Sequence, residues 1–143
     1  GGPEEDNVKR QASESRVADR ICLTGFQDDP RRHYHAMDLL VIPSINEGLS
    51  NALLEAMASG VPALCNAAAC GSEEVISPGE DGFITDISTS SGLAKDLADA
   101  MSDPARLVDM GRTARKNIEQ HFSIEKMVSE YQRIYRELAH GEA

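Results

Sequence analysis

The stretch DLLVIPSINEGLSNALLEAMASGVP, residues 38–62, decides the fold. Its apolar run at 39–42 is too short for a helix and is closed by a proline, which predicts a buried strand. Residues 51–59 are rich in strong helix formers, Gly60 suits a left-handed residue after a helix, and Pro62 prevents continuation. The stretch therefore predicts a strand, a polar loop and a helix, in that order.

The start of this predicted helix is suited to binding an anion. The first backbone N–H groups of a helix have no partner within it and carry the positive end of its dipole. Glu47 in the loop and Glu55 in the helix bracket the site, with seven residues between them (48–54). We therefore expect a binding crevice between the end of the strand and the start of the helix.

The length and composition limit the classes of protein to which this chain can belong. The 143 residues suit one domain, and a net charge of -10 argues against nucleic acid, whose recognition needs a basic face. There is no signal-peptide pattern and no apolar run long enough to span a membrane. The three cysteines lack metal-type spacing and indicate a reducing compartment, with Cys22 and Cys65 predicted to be buried in strands.

Short strands alternate with helices along the rest of the chain. The pattern predicts strands at 20–25, 63–65 and 83–85 and helices at 4–18, 30–37, 73–76, 90–102, from 104 onward and after 123. Ser72, Asp103 and Ser123 are the predicted helix N-caps. This alternation is typical of an α/β doubly wound parallel sheet, in which ligands bind beyond the carboxyl ends of the strands. The loops at 43–50 and 66–72 should therefore flank one crevice.

Two further side-chain patterns carry predictions. The apolar residues of the last helix are expected to line its inner face; they are Met127, Tyr131, Ile134 and Leu138. His33 and His35 are two residues apart on a predicted helix and point to different sides, so we expect a solvated helix face there and no metal site.

Glu47 and Glu55 leave three interpretations open. They could form the acid and nucleophile of a hydrolase, accept hydrogen bonds from sugar hydroxyls, or be ordinary surface residues. The position of Glu55 within a helix argues against the hydrolase. Its apolar neighbours argue against an ordinary surface residue, because a carboxylate there needs a partner.

Residues 38–62 closely resemble the C-terminal, donor-binding domain of group 1 (family 4) retaining glycosyltransferases. Supporting matches are GF at 25–26, CGSEEVI at 70–76, GEDGF at 79–83 and FS at 122–123, so the resemblance covers essentially the whole chain. It implies a Rossmann-like half of a GT-B fold and an enzyme of polysaccharide biosynthesis. Such an enzyme moves a sugar from a nucleoside diphosphate sugar to a glycan or lipid-linked acceptor without a metal.

The resemblance implies a role for each matching residue. Glu55 corresponds to the glutamate that binds the ribose hydroxyls, and Glu47 to the catalytic glutamate that contacts the transferred sugar. The remaining donor-binding residues are Gly25 and Phe26 beside the base and the amides of Gly48, Leu49, Ser50 and Asn51 at the sugar and diphosphate. Ser72 stands where the family usually has proline.

Two departures from the family lead us to expect that residues 1–143 are a fragment of a longer polypeptide or complete their sheet with another chain. The family's donor domain begins with two further βα units, which carry an Arg and a Lys for the diphosphate, and the N-terminal acceptor domain precedes them. By itself the chain should therefore be inactive. In the family the last helix reaches toward the N-terminal domain, so we expect an apolar strip around Tyr131 to Leu138 to be left exposed. The resemblance favours a UDP-sugar, a cytoplasmic location and peripheral membrane association of the full enzyme. The alternative is a non-catalytic nucleotide-sugar or partner-binding module with the same fold.

Overall fold

The computed structural model describes most of the chain, in four ranges: 2–45, 48–67, 71–86 and 89–140, with the side chain of residue 140 excepted. The chain divides into two compact units, Gly1–Pro30 and Arg31–Ala143, each of which is described by itself. The first unit contains one α-helix and a short 3₁₀ turn, whereas the second contains a parallel sheet and its helices.

The first unit begins with an exposed helix. Helix α1 spans Glu5–Glu14, and a short 3₁₀ turn follows at Ala18–Arg20. No residue of α1 is buried, which confirms the predicted solvated helix, although it is shorter than the predicted 4–18. Ser15 ends the helix by adopting an extended backbone conformation.

The strand predicted at 20–25 is wrong. Residues 21–27 have no regular secondary structure, and no strand in the described ranges pairs with them. A strand needs a neighbour for its backbone hydrogen bonds, so a short apolar run is insufficient by itself. The predicted burial of Cys22 is wrong for the same reason, because its side chain is exposed.

The second unit is built on a parallel sheet. Its strands, in spatial order, are β1 (Leu40–Ile42), β2 (Ala63–Asn66) and β3 (Gly82–Thr85). Val41 of β1 pairs with Leu64 of β2, which in turn pairs with Phe83 of β3. Parallel neighbours joined through helices confirm the predicted α/β fold.

Helices follow each strand. The described part of this unit contains α2 (Arg31–Tyr34), α3 (Asn51–Ala58), α4 (Ser72–Val75), α5 (Ser90–Ala100), α6 (Pro104–His121) and α7 (Ile124–His140). Helix α3 connects β1 to β2, and α4 lies between β2 and β3. Within the described residues, none of these helices is both long and apolar enough to cross a lipid bilayer.

One face of the sheet packs against α3 and α6. Ala63 and Cys65 project from the same face of β2 and are fully buried, which confirms the predicted burial of Cys65. The other buried members of this core are Ile42, Leu53, Met57, Val75, Ile76, Ala114 and Ile118. Leu64 points to the opposite face, where it lines a cavity of about 260 Å³ together with Ala100 of α5. The core therefore anchors α3, whose first turn follows the loop after β1.

Most helix boundaries follow the predicted local signals. Gly60 ends α3 with a positive φ of 82°. Asp103 accepts a hydrogen bond from a first-turn N–H of α6, of which Pro104 is the first residue. The Ser123 hydroxyl accepts a first-turn N–H of α7 in the same way. These caps satisfy N–H groups that the helices cannot pair internally.

The predicted inner face of α7 is exposed, which agrees with the exposed strip expected from Tyr131 to Leu138 but not with the expected burial of Met127. The side chains expected there are between 43% and 62% exposed; they are Met127, Tyr131, Ile134 and Leu138. Their spacing does place them along one side of the helix. An amphipathic pattern identifies the apolar face of a helix, but it cannot show whether the chain itself covers that face.

Candidate functional site

A side-chain hydrogen bond joins the carboxyl ends of β1 and β2. Asn66, at the end of β2, donates from Nδ2 to the carbonyl oxygen of Ser44, 3.1 Å away in the loop after β1. Asn66 is buried, where an unpaired amide would be costly. The loops that follow the two strands therefore begin side by side, at the edge where open α/β sheets bind ligands.

The first turn of α3 has no side-chain cap among the described residues. Ser50 occupies the capping position with extended backbone, but its side chain accepts no bond from the N–H groups of the helix. Ser50 is buried, whereas Gly48, Leu49 and Asn51 are exposed. Because uncapped N–H groups at a helix start attract negative charge, this turn has the chemistry of an anion site.

One turn further along α3, Glu55 is held by a residue that is distant in sequence. The Tyr34 hydroxyl donates a hydrogen bond to Oε2 of Glu55 at 3.0 Å. Tyr34 lies at the end of α2, and its ring is buried against Ala56 and Val61. The Glu55 side chain itself is exposed and can also reach a ligand. The carboxylate of Glu55 therefore has a partner within the protein, whereas only ligand hydroxyls were predicted to donate to it.

The environment of Tyr34 keeps its hydroxyl protonated. Burial raises the pKa of Tyr34 above its ordinary value, and the hydrogen bond and negative charge of Glu55 raise this pKa further. Tyr34 therefore remains a hydrogen-bond donor across the physiological range. Tyr34 is not among the predicted site residues, because the His33-Tyr34-His35 segment was predicted to be a solvated helix face, which is wrong for the buried Tyr34.

Two predicted site segments are only partly described. Glu47, the predicted catalytic residue, lies outside the described residues, and so does Cys70 of the loop after β2. Ser72 is described, and its predicted role as the N-cap of α4 is wrong. Gly71 occupies the capping position, and Ser72 is the first residue of the helix, where it is buried.

Gly25 and Phe26 belong to the first unit of the chain. Gly25 has a φ of 64°, a left-handed conformation that glycine adopts without strain. Phe26 is 85% exposed, so its ring offers a free aromatic face. Their predicted contact with a nucleotide base stays a prediction.

The described residues offer no metal site. No group of three or more His, Cys, Asp or Glu side chains within them could hold a metal ion. His33 and His35 are accordingly not part of such a group. The described part of the site contributes backbone N–H groups and one oriented carboxylate.

Comparison with protein families gives one match that covers most of the chain. Residues 1–117 match the family model described as glycosyl transferases group 1. Among curated proteins, the chain is 31% identical over 134 residues to the N-acetyl-alpha-D-glucosaminyl L-malate synthase of Bacillus anthracis. That alignment covers 94% of this chain but only 35% of the relative's length.

Solved structures also match most of this chain but only part of the other protein. The sucrose-phosphate synthase of Thermosynechococcus elongatus matches with a TM-score of 0.86 and 26% identity, over 98% of this chain and 35% of that one. The Anabaena protein HepE, solved in complex with UDP, matches with a TM-score of 0.80 and 26% identity, over 95% of this chain and 37% of that one. The chain thus spans about a third of the length of each of these proteins.

Proposed function

Because the chain belongs to the group 1 glycosyltransferase family, we propose that it is the donor-binding part of a retaining glycosyltransferase. In this proposal the donor is a nucleoside diphosphate sugar, bound at the loops after β1 and β2. The full enzyme transfers the sugar to a glycan or lipid-linked acceptor. The observation that carries the proposal is that α3 offers a first turn that no described side chain caps and, one turn later, an oriented carboxylate.

The first turn of α3 binds the diphosphate. The N–H groups of residues 48–51 supply hydrogen bonds, and the helix dipole adds a favourable field. No side chain in the described residues competes for the first N–H groups of the helix. When the bond between the sugar and the diphosphate breaks, its electron pair leaves with the diphosphate. Fixed N–H donors stabilise this growing negative charge without having to reorganise.

Glu55 binds the ribose of the same nucleotide. Four residues of α-helix, from Asn51 to Glu55, rise about 6 Å. This is comparable with the separation between the diphosphate and the ribose hydroxyls of a nucleotide. An ionised carboxylate only accepts hydrogen bonds, which matches a pair of hydroxyl donors. The UDP complex of the related HepE supports a uridine nucleotide as the first ligand to test.

Glu47 is the proposed catalytic residue. It contacts hydroxyls of the transferred sugar and stabilises the positive charge that develops at the anomeric carbon. The acceptor oxygen forms the new bond at that carbon, and its proton passes to an oxygen of the departing diphosphate. The proximity of Glu47 to the uncapped turn in the sequence supports this role, because the two features act on the two sides of one breaking bond.

The remaining parts of the proposal concern the full-length enzyme and the nucleotide base. We propose that residues 1–143 are part of a longer, cytoplasmic polypeptide, which includes two further βα units of the donor domain and an acceptor domain. The chain spans about a third of its relatives, which supports this division. The isolated chain is expected to bind nucleotide without transferring sugar. Gly25 and Phe26 are proposed to contact the base.

Calorimetric titration of the natural-length polypeptide with UDP and GDP tests the proposal. We expect one of the two to bind, and Glu55→Gln to weaken that binding about tenfold, because a charged acceptor is lost. Glu125→Gln is the matched control, since Glu125 is an exposed glutamate in the first turn of α7. If neither nucleotide binds at millimolar concentration, or if both variants behave like the wild type, the proposed site is wrong.

A further inference from the structure

We propose that Tyr34 positions the Glu55 carboxylate, and that it thereby determines how strongly the protein selects ligands with a free ribose diol. This inference rests on the proposed function, in which Glu55 binds the ribose. Tyr34 acts through Glu55 and does not touch the ligand. Its contribution is the direction in which the carboxylate points.

The position of the Tyr34 hydroxyl is determined by packing. The residue is only 7% exposed, and its ring lies against Ala56 and Val61, with Leu40 of β1 beside them. A tyrosine side chain has two rotatable bonds, so a buried ring leaves the hydroxyl little freedom. The core of the second unit therefore holds this donor in place.

Glu55 lacks such packing of its own. Its side chain is exposed and rotates about three bonds, so without a partner it would adopt many orientations. The bond from Tyr34 occupies one side of Oε2 and leaves Oε1 available to a ligand. Ordering the carboxylate before the ligand arrives removes an entropic cost of binding. Tyr34 should therefore affect the affinity only for ligands that hydrogen-bond to the Glu55 carboxylate.

A ligand that lacks the ribose hydroxyls provides the discriminating probe. The natural-length protein is titrated with UDP and GDP and with their 2′,3′-dideoxy counterparts. For the wild type we expect the nucleotide with the diol to bind at least tenfold more tightly than its dideoxy form. Tyr34→Phe keeps the ring and removes only the hydroxyl. It should weaken binding of the diol form about three- to tenfold and leave binding of the dideoxy form within about twofold.

Two controls accompany this comparison. Tyr135→Phe removes a hydroxyl from an exposed tyrosine of α7 and should leave both affinities unchanged. In the Glu55→Ala background, where residue 55 has no side-chain acceptor, Tyr34→Phe should have no further effect, because two residues that act through one contact are not additive. A further independent loss in that background would overturn the inference.

The outcomes separate this inference from the proposed function. If the wild type prefers the diol but Tyr34→Phe discriminates equally well, Tyr34 has no positioning role and only the inference fails. An equal loss for both ligand forms would indicate a purely structural role and would also overturn it. If the wild type does not prefer the diol, the ribose role of Glu55 and the inference fail together.

A second measurement applies if Tyr34→Phe does not fold. In tyrosine-labelled wild type, the ¹³Cζ resonance that moves on Glu55→Gln substitution belongs to Tyr34. The bound nucleotide that carries the diol should shift this resonance, and its dideoxy form should shift it less. A resonance that is unaffected by a bound diol nucleotide would overturn the inference.

Discussion

Gly111 of α6 lies so close to the carbonyl oxygen of Gly60 that a Cβ on residue 111 would overlap this oxygen. Gly60 is the left-handed residue that ends α3. The contact therefore joins the end of α3 to the middle of α6 and sets how closely the two helices pack. Since α3 begins at the proposed diphosphate site, this packing also supports the site.

Gly111→Ala should destabilise the protein by about 1 to 3 kcal/mol, because the added methyl group forces the two helices apart. Alanine favours a helix interior over glycine by about 1 kcal/mol, so helix propensity alone predicts the opposite sign. Urea unfolding measures the free energy of unfolding. Gln120→Ala, at an exposed position of the same helix, is the control and should change it little. An equally or more stable Gly111→Ala protein would contradict the close contact.

Asn117→Ala should be more destabilising than its partial exposure suggests. Asn117 Nδ2 donates to the carbonyl oxygen of Val75 and to Oδ2 of Asp81, both at 2.8 Å. Asp81 is 1% exposed, and its other oxygen accepts the N–H of Ser77 at 2.7 Å. Removing the amide leaves a buried carboxylate under-paired, at a cost of about 2 to 4 kcal/mol. Urea unfolding beside the Gln120→Ala control measures this cost. A change below 0.5 kcal/mol (about the noise for a surface site) would show that the contact is not stabilising.

Stability should fall at alkaline pH in a way that depends on Tyr34. The pKa of Tyr34 is raised in the folded protein, mainly by burial and then by Glu55. Above the ordinary tyrosine pKa of about 10, the folded state therefore holds a proton that the unfolded state has lost. The stability linked to this proton is fully present below about pH 10 and is lost as pH rises through the folded-state pKa. Unfolding at pH 8.5 and 10.5 should show a steeper loss for the wild type than for Tyr34→Phe, whereas Tyr135→Phe should follow the wild type.

The two glutamates should affect different kinetic parameters of the full enzyme. Glu47→Ala should lower kcat by about a hundredfold or more with a smaller effect on donor KM, since it removes an interaction that strengthens in the transition state. Glu55→Gln should mainly raise the donor KM, because ribose binding is similar in the ground and transition states. Steady-state kinetics with the donor varied would measure both effects, and Glu125→Gln is the control. Unchanged kinetics for Glu47→Ala would remove its proposed role.

Local signals in the sequence predicted the elements of the second unit well. Gly60 and the Asp103-Pro104 pair act through their own backbone geometry and the nearest N–H groups. The helix boundaries that they set can therefore be predicted from the sequence. The apolar run before Pro43 also predicted the position of β1 correctly, although only Ile42 of this strand is buried and its other two residues are half-buried. The same reasoning failed at 20–25, since the pattern of a strand does not supply its neighbour.

The sequence by itself determined the family, the parallel α/β architecture and the position at which α3 begins, because each depends on short-range residue patterns. It also indicated that Glu55 needed a partner. Only the tertiary structure identified this partner as Tyr34, which lies 21 residues away in the chain. The physical reason is that a hydrogen bond between two helices depends on how both pack against the sheet. Packing of this kind involves the whole core and leaves no periodic signal in either segment.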